Sequence, residues 1–196
     1  MNPQLYFWIT FLVLSISIIF FGRKYSMLRD ASSALRKPYS FSRVQLGWWT
    51  LILISSFTSI LIVRCDVATF DTSQLILLGI SAATMASAKL IDISDQNNVR
   101  VNRSQDLGSD NFFLDILSDE NGVSVHRFQS VIFNLIFGIW FILKINRNLD
   151  AGVDINLIMP VLSNNNLILL GLSSGTYAAL KATENKDPLS KQPSPL

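Results

Sequence analysis

Five stretches of the chain carry no Asp, Glu, Lys or Arg: residues 1–22, 44–63, 72–88, 128–143 and 155–180. Each holds an apolar core, which in the last begins after Asn166. A helix needs about 20 residues to cross a bilayer, with roughly 17 tolerated. Lys89, Arg127 and Lys144 flank the shorter windows, and such side chains reach back to the interface along their apolar stems. A helix of a soluble bundle keeps an apolar stripe and a charged face, whereas Leu5–Phe21 and Leu46–Val63 have no charged face. The pattern predicts an all-α integral membrane protein with five transmembrane helices.

The polar segments divide the chain accordingly. We expect an N-terminal transmembrane helix over 1–22, a basic cytoplasmic connection over 23–44, a first helical hairpin over 45–91, an acidic cytoplasmic connection over 92–126, a second hairpin over 127–182 and a disordered tail over 183–196. Within the acidic connection, Gln96 to Asp110 is polar and expected to be mobile. After it, Phe112, Phe113, Ile116 and Leu117 fall at helical spacing. They predict a short amphipathic helix on the membrane surface, stopped by the turn signal Asp119-Glu-Asn-Gly122.

Charge sets the orientation. Thirteen of the 16 Lys and Arg residues fall in the first and third connections, their edges and the tail. Arg64, Lys144 and Arg147 are the other three. The positive-inside rule then puts the N-terminus outside and the C-terminus in the cytoplasm. No basic residue precedes the first apolar window, and Arg23 and Lys24 follow it. A secretory signal has the reverse flanks, so the first helix is expected to be retained. The six basic residues of the first connection act mainly as this orientation signal, with contact to anionic headgroups as the other reading.

The two hairpins repeat one another. Ser40-Phe-Ser-Arg-Val-Gln45 and Ser124-Val-His-Arg-Phe-Gln129 both read Ser-x-x-Arg-x-Gln. Leu75-Ile-Leu-Leu-Gly-Ile-Ser-Ala-Ala-Thr-Met-Ala86 matches Leu167-Ile-Leu-Leu-Gly-Leu-Ser-Ser-Gly-Thr-Tyr-Ala178. Farther on, Lys89 aligns with Lys181 and Asp92 with Glu184. Both units run the same way, so they are parallel repeats about an axis along the membrane normal, with the first helix outside them.

The returning helices carry small residues four apart: Gly79, Ala83 and Ser87 in one, Gly171, Gly175 and Ala179 in the other. Such stripes let two backbones come close, and we expect them to form the packing faces, on each other or on a neighbouring subunit. A second stripe holds Ser81, Thr84, Ser173 and Thr176. It either lines a polar path or, as is commoner, bonds back to helix carbonyls. At the cytoplasmic boundary stand Arg43, Gln45, Lys89, Asp92, Arg127, Gln129, Lys181 and Glu184. Asp92 and Glu184 are the natural partners of Arg43 and Arg127 within each hairpin. Trp48 and Trp49 suit the inner aromatic belt and Trp140 the outer one.

Composition narrows the chemistry. Charged residues make up 15% of the chain, against about 25% in soluble domains. With one cysteine, Cys65, no internal disulfide forms, and with one histidine, His126, no Cys/His metal site can be assembled. No P-loop, Rossmann glycine motif or Ser-His-Asp arrangement is present, and the Asp spacing of the acidic connection does not match an EF-hand. The apolar windows contain no carboxylate or histidine at depth, which argues against an ion-coupled transporter. No cofactor, metal or nucleic acid is expected; a carboxylate-only Mg²⁺ or Ca²⁺ site is the alternative the inventory leaves open.

Taken as a set, Pro38-Tyr-Ser-Phe-Ser-Arg-Val-Gln-Leu-Gly-Trp-Trp49, Leu78-Gly-Ile-Ser-Ala-Ala-Thr84, Asp119-Glu-Asn-Gly-Val-Ser-Val-His-Arg-Phe-Gln129 and Leu170-Gly-Leu-Ser-Ser-Gly-Thr-Tyr177 resemble a group of uncharacterised bacterial polytopic membrane proteins. The resemblance spans Pro38 to Lys181 and implies no activity. In similar sequences the third-helix motif reads Gly-Ile-Ser-x-Gly-Thr. Ala83 stands here in place of that glycine, which implies looser packing in the first unit.

The expected function is that of a non-enzymatic membrane subunit. It would self-assemble, or anchor a partner in a membrane complex, through its small-residue faces, with membrane lipid around it. The alternative is a homo-oligomeric pore acting as an effector in stress or phage defence, with Asp66, Asp71, Asp150 and Asp154 drawing cations to its outer mouth. A membrane enzyme built on Asp115 and Asp119 is a third, weaker reading.

Overall fold

The computed structural model describes residues 2–97, 106, 111–119, 122–151 and 153–184. The stretch expected to be mobile and the tail expected to be disordered lie outside the described residues, apart from Gln96, Asn97, Asp106, Thr183 and Glu184. The protein is all-α, with helices α1 (Pro3–Lys24), α2 (Phe41–Arg64), α3 (Thr72–Gln96), α4 (Phe112–Leu117), α5 (Val125–Asp150), α6 (Ile155–Ile158) and α7 (Asn164–Lys181). Two strands of two residues each, β1 (Ser118–Asp119) and β2 (Gly122–Val123), pair antiparallel between α4 and α5. Gly122 takes φ +106 there, a conformation that favours glycine.

α1, α3 and α7 begin where a side chain satisfies a free N–H group. The Asn2 side chain accepts from Gln4 N at 3.0 Å, and Pro3 opens α1. Asp71 accepts from Ser73 N at 2.8 Å to start α3. Ser163 caps α7. Ser40 and Ser124 are the N-caps of α2 and α5. Each turns its hydroxyl to the side chain two residues on: Ser40 Oγ to Ser42 Oγ at 3.2 Å, and Ser124 Oγ to His126 Nδ1.

α1, α2, α3 and α5 are long and apolar enough to cross a membrane. α7 has 18 residues and opens on Asn164, Asn165 and Asn166. Four helices close a ring: α2 packs on α3, α3 on α7, α7 on α5, and α5 on α2. Trp49, Ile52, Leu77, Phe141, Ile145 and Leu170 fill its centre. α1 lies outside the ring, against α2 and the edge of α5. Phe7 is its one apolar side chain buried in that seam, while Leu12, Val13, Ile16 and Ile19 stand exposed. So continuous an apolar exterior suits a hydrocarbon solvent rather than water.

α2 and α5 are held by an indole clasp. Trp49 Nε1 donates to Asn134 Oδ1 at 2.7 Å, and Trp48 Nε1 donates to the Asn134 carbonyl at 3.0 Å. The Trp48 ring lies on Gly138, where a Cβ would collide with Nε1. Only glycine permits that approach. Trp48 and Trp49 therefore join helices, and Trp49 is wholly buried rather than sitting in an aromatic belt. Trp140 remains partly exposed.

The two ends of the bundle differ. At one end, short polar contacts tie the loops together: Gln74 Nε2 donates to Pro160 O at 2.8 Å, Arg64 Nη2 to Val153 O at 3.2 Å, and Asn148 Nδ2 to Ile158 O at 2.9 Å. The other end gathers the α1–α2 connection, the end of α3, α4, the start of α5 and the end of α7 around a second apolar cluster of Phe41, Ala88, Ile116 and Tyr177. α4 turns Phe112 and Ile116 onto this cluster, so part of the apolar face expected to lie on a membrane seals the bundle instead. Phe113 and Leu114 remain exposed.

Candidate functional site

The sealed end holds a layer of buried charge. Ser174, Tyr177, Lys181 and Glu184 recur at intervals of three and four, and so share one face of the end of α7 and the turn after it. That face turns inward, and all four side chains are buried. Asp92 on α3 lies opposite. Lys181 Nζ sits 3.0 Å from Asp92 Oδ1 and 3.5 Å from Asp30 Oδ2 of the α1–α2 connection. Arg127, in the first turn of α5, pairs with Glu184.

Tyr177 lies between the two ionic groups. Its ring is 5.3 Å from the Arg127 guanidinium and 4.7 Å from the Phe41 ring. One turn deeper, Gln45 Nε2 donates to Ser174 Oγ at 2.9 Å. Above the layer, Asp115 Oδ2 accepts from Tyr39 N at 2.9 Å and anchors α4 to the connection. Five segments that are remote in sequence thus meet in one place.

Burying an ion is costly unless a partner compensates it, and a pair gains stability only when the geometry is good. Here Lys181 and Asp92 are each 2% exposed, with opposite charge in direct contact. Such a layer favours one arrangement of helices: sliding α7 by a turn would strand Lys181 against apolar side chains. Its evident work is to fix the register of α7 against α3 and α5.

The duplicated positions are used unequally. The Arg127–Glu184 pair forms within the second hairpin, as the sequence predicts. Its counterpart does not form, because Asp92 faces Lys181 of the other hairpin. Arg43 is left with a 3.4 Å contact to Met27 O. Gln45 is buried while Gln129 is exposed, and Lys181 is buried while Lys89 is exposed.

A rotation explains the inequality. The inward face of α3 carries Leu77, Ser81, Thr84, Ala88 and Asp92. The aligned face would carry Leu169, Ser173, Thr176, Leu180 and, past the helix end, Glu184, but the buried residues of α7 itself are Leu167, Leu170, Ser174, Tyr177 and Lys181. α7 is therefore turned by one residue, about 100°.

The small-residue stripes fall mostly outside. Gly79, Ala83, Gly175 and Ala179 are exposed, and Ser87 and Gly171 are half-buried. Gly171 alone of the stripe glycines meets a neighbour, with Ile80 Cδ1 3.6 Å from its Cβ position. Within one chain, the α3–α7 seam is made by the adjacent face. Of the hydroxyl stripe, Ser81 and Thr84 bond back to Leu77 O at 3.1 Å and Ile80 O at 2.7 Å. Ser173 meets Ser130, and Thr176 is exposed.

Sequence reasoning gave no site role to Asp30, nor to Ser174 and Tyr177, which lie within the repeated motif but off both of its stripes. It also treated His126 as a lone histidine. The structure brings one ligand atom each of Asp119, His126 and Glu184 within 4.8 Å of one another. A cation held by these three would have to share Glu184 with the Arg127 guanidinium, which already neutralises it. The arrangement reads better as part of the ionic layer. Asp115 is engaged with Tyr39 N, and Asp119 lies beside His126 and Glu184.

Comparison with known proteins returned no matching family model, no matching curated protein and no matching solved structure.

Proposed function

We propose that the chain is a five-crossing subunit of a bacterial cytoplasmic membrane, with its N-terminus outside and its C-terminus inside, that acts by assembly and not by catalysis. α7 serves as the fifth crossing. Its 18 residues reach about 27 Å at 1.5 Å per residue, close to the roughly 30 Å hydrocarbon core. It packs on both α3 and α5, which supports the same depth. The ring's contact order is unchanged when α2–α3 is exchanged with α5–α7. The matching N-caps Ser40 and Ser124 add to this, and together they support two duplicated hairpins. On the quoted motifs, we place the chain with the bacterial polytopic proteins it resembles.

One observation carries the assembly reading. The faces bearing Gly79, Ala83, Gly175 and Ala179 look away from the bundle, and nothing lies within 4 Å of a Cβ built at Gly79 or Gly175. In lipid no hydrophobic force drives helices together, so association relies on close backbone approach. An outward small-residue face offers that approach to a second copy or to another membrane subunit. The pair Gly79→Leu and Gly175→Leu is expected to reduce the native mass in mild detergent while leaving the monomer folded. An unchanged mass contradicts the reading.

The pore alternative is favoured by one observation: Asp66, Asp71, Asp150 and Asp154 are all exposed at the end opposite the ionic layer. Because apolar side chains fill the ring, any such path would run between copies. Cation flux through liposomes containing the purified chain tests it, and tight liposomes reject it.

A further inference from the structure

Beside α1 a groove of about 470 Å³ opens between α1 and α3, floored by α2. Ligand pockets typically enclose about 300–1,000 Å³. Its walls are apolar, with Leu14 and Phe21 from α1, Gly47 from α2 and Met85 from α3, and two cations, Arg43 and Lys89, stand in the same lining. Both are at the end of the bundle that carries the ionic layer. From Leu14 to Phe21 along α1 is about 10 Å, and likewise from Thr50 to Arg43 along α2. The groove is therefore shallower than one leaflet of the hydrocarbon core, which is about 15 Å deep. Its charge lies at the headgroup level alone.

Arg43 and Lys89 are the duplicate partners of Arg127 and Lys181. In the second unit the guanidinium and ammonium are neutralised by Glu184, Asp92 and Asp30. In the first unit the aligned carboxylate, Asp92, has turned inward to Lys181. Among the described residues no carboxylate pairs with Arg43 or Lys89. Two uncompensated cations over an apolar groove call for an anion attached to a hydrocarbon chain.

We infer that this groove is a binding site for an anionic phospholipid, whose acyl chain lies along Leu14, Gly47 and Met85 and whose phosphate is held by Arg43 and Lys89. The lipid supplies to the first unit the negative charge that Glu184 supplies to the second. Gly47 lies on the floor, where a Cβ would be in ordinary contact with Leu28 Cδ2 at 3.5 Å.

The test uses the full chain in detergent and counts bound lipid by native mass spectrometry. Phosphatidylglycerol and phosphatidylcholine with identical acyl chains are compared, with glycerol phosphate as the headgroup alone. Phosphatidylglycerol is expected to bind tighter by about 30-fold, taking two basic contacts at the surface scale. Arg43→Gln with Lys89→Gln is expected to abolish that preference. Arg23→Gln with Lys24→Gln removes as much charge beside α1 but outside the groove, and is expected to keep it. If the first double variant misfolds, Lys89→Gln alone, at an exposed position, is expected to lose about fivefold. Four results overturn the site: equal binding of the two lipids, a preference that survives Arg43→Gln with Lys89→Gln, an equal loss in both double variants, or glycerol phosphate competing as well as the lipid. A second copy seated in the groove would appear as a lipid-free dimer that Arg43→Gln with Lys89→Gln dissociates, and would also overturn it. The inference rests on the membrane reading. A chain that failed to insert would retain neither lipid, which separates that failure from a missing site.

Discussion

Replacing Lys181 with methionine removes the ammonium and keeps most of the apolar stem. Asp92 is then 2% exposed and has lost an ammonium at 3.0 Å. Asp30 also loses a contact at 3.5 Å, but it lies nearer solvent, with its side chain 11% exposed. Removing one partner of a buried pair costs about 3–5 kcal/mol. Lys181→Met should therefore reduce the folding constant by about two to four powers of ten. Lys89→Met, at the aligned but exposed position, should stay within about 0.5 kcal/mol. Pairing Lys181→Met with Asp92→Leu removes both charges and should recover most of the loss, since apolar replacement of a buried pair is often neutral or better. Unfolding in mixed micelles of rising SDS content, followed by the fluorescence of buried Trp49, measures all three. If Lys89→Met costs as much as Lys181→Met, or the double variant is no better than the single, the ionic layer does not hold α7 in register.

Two further predictions concern packing and pH. Gly138→Ala forces a methyl into the Trp48 indole and should cost about 1–3 kcal/mol as overpacking. Gly175→Ala meets nothing and should leave the monomer unchanged or up to about 1 kcal/mol more stable through helix propensity; thermal unfolding in detergent separates them, and equal losses would refute the clasp. The backbone N–H of Ser73, and then its hydroxyl, hold the Asp71 carboxyl below the usual carboxylate range. A folded-state value lowered in this way contributes stability that is present above the ordinary carboxylate pKa of about 3.9 and lost as pH falls through it and through the lower folded value. The stability advantage of the native chain over Asp71→Ala, about 1 kcal/mol at neutral pH, should shrink across that acid window, and an advantage that grew would refute the capping account.

The spans were legible in the sequence because charge cannot sit cheaply at membrane depth, so its absence over 44–63 or 128–143 carries strong information. The ends of α2 and α5 were legible too, since Ser40 and Ser124 open them. The inward face of α7 was not. In a soluble helix the charged side marks the exterior, but in lipid both sides are apolar, and the stripe through Gly171, Gly175 and Ala179 looks as packable as the one through Leu170, Ser174 and Tyr177. Lys181 is the residue that decides between them. Its alignment with the exposed Lys89 disguised it as a boundary anchor, because nothing local in the sequence shows that Asp92 and Asp30 converge on it. Arg127 and Glu184 were easier to pair, since they stand at the facing ends of one hairpin.

The central claim is that five helices cross the membrane, so that Leu35, Thr183 and the ionic layer lie on one side while Cys65 and Val161 lie on the other. All four positions are exposed. Intact cells carrying the native chain, or Cys65→Ser variants with Leu35→Cys, Val161→Cys or Thr183→Cys, can be treated with a membrane-impermeant maleimide. The account predicts labelling of Cys65 and of Val161→Cys from outside, and of Leu35→Cys and Thr183→Cys only after the membrane is opened. Labelling of Val161→Cys and Thr183→Cys from the same side would contradict it.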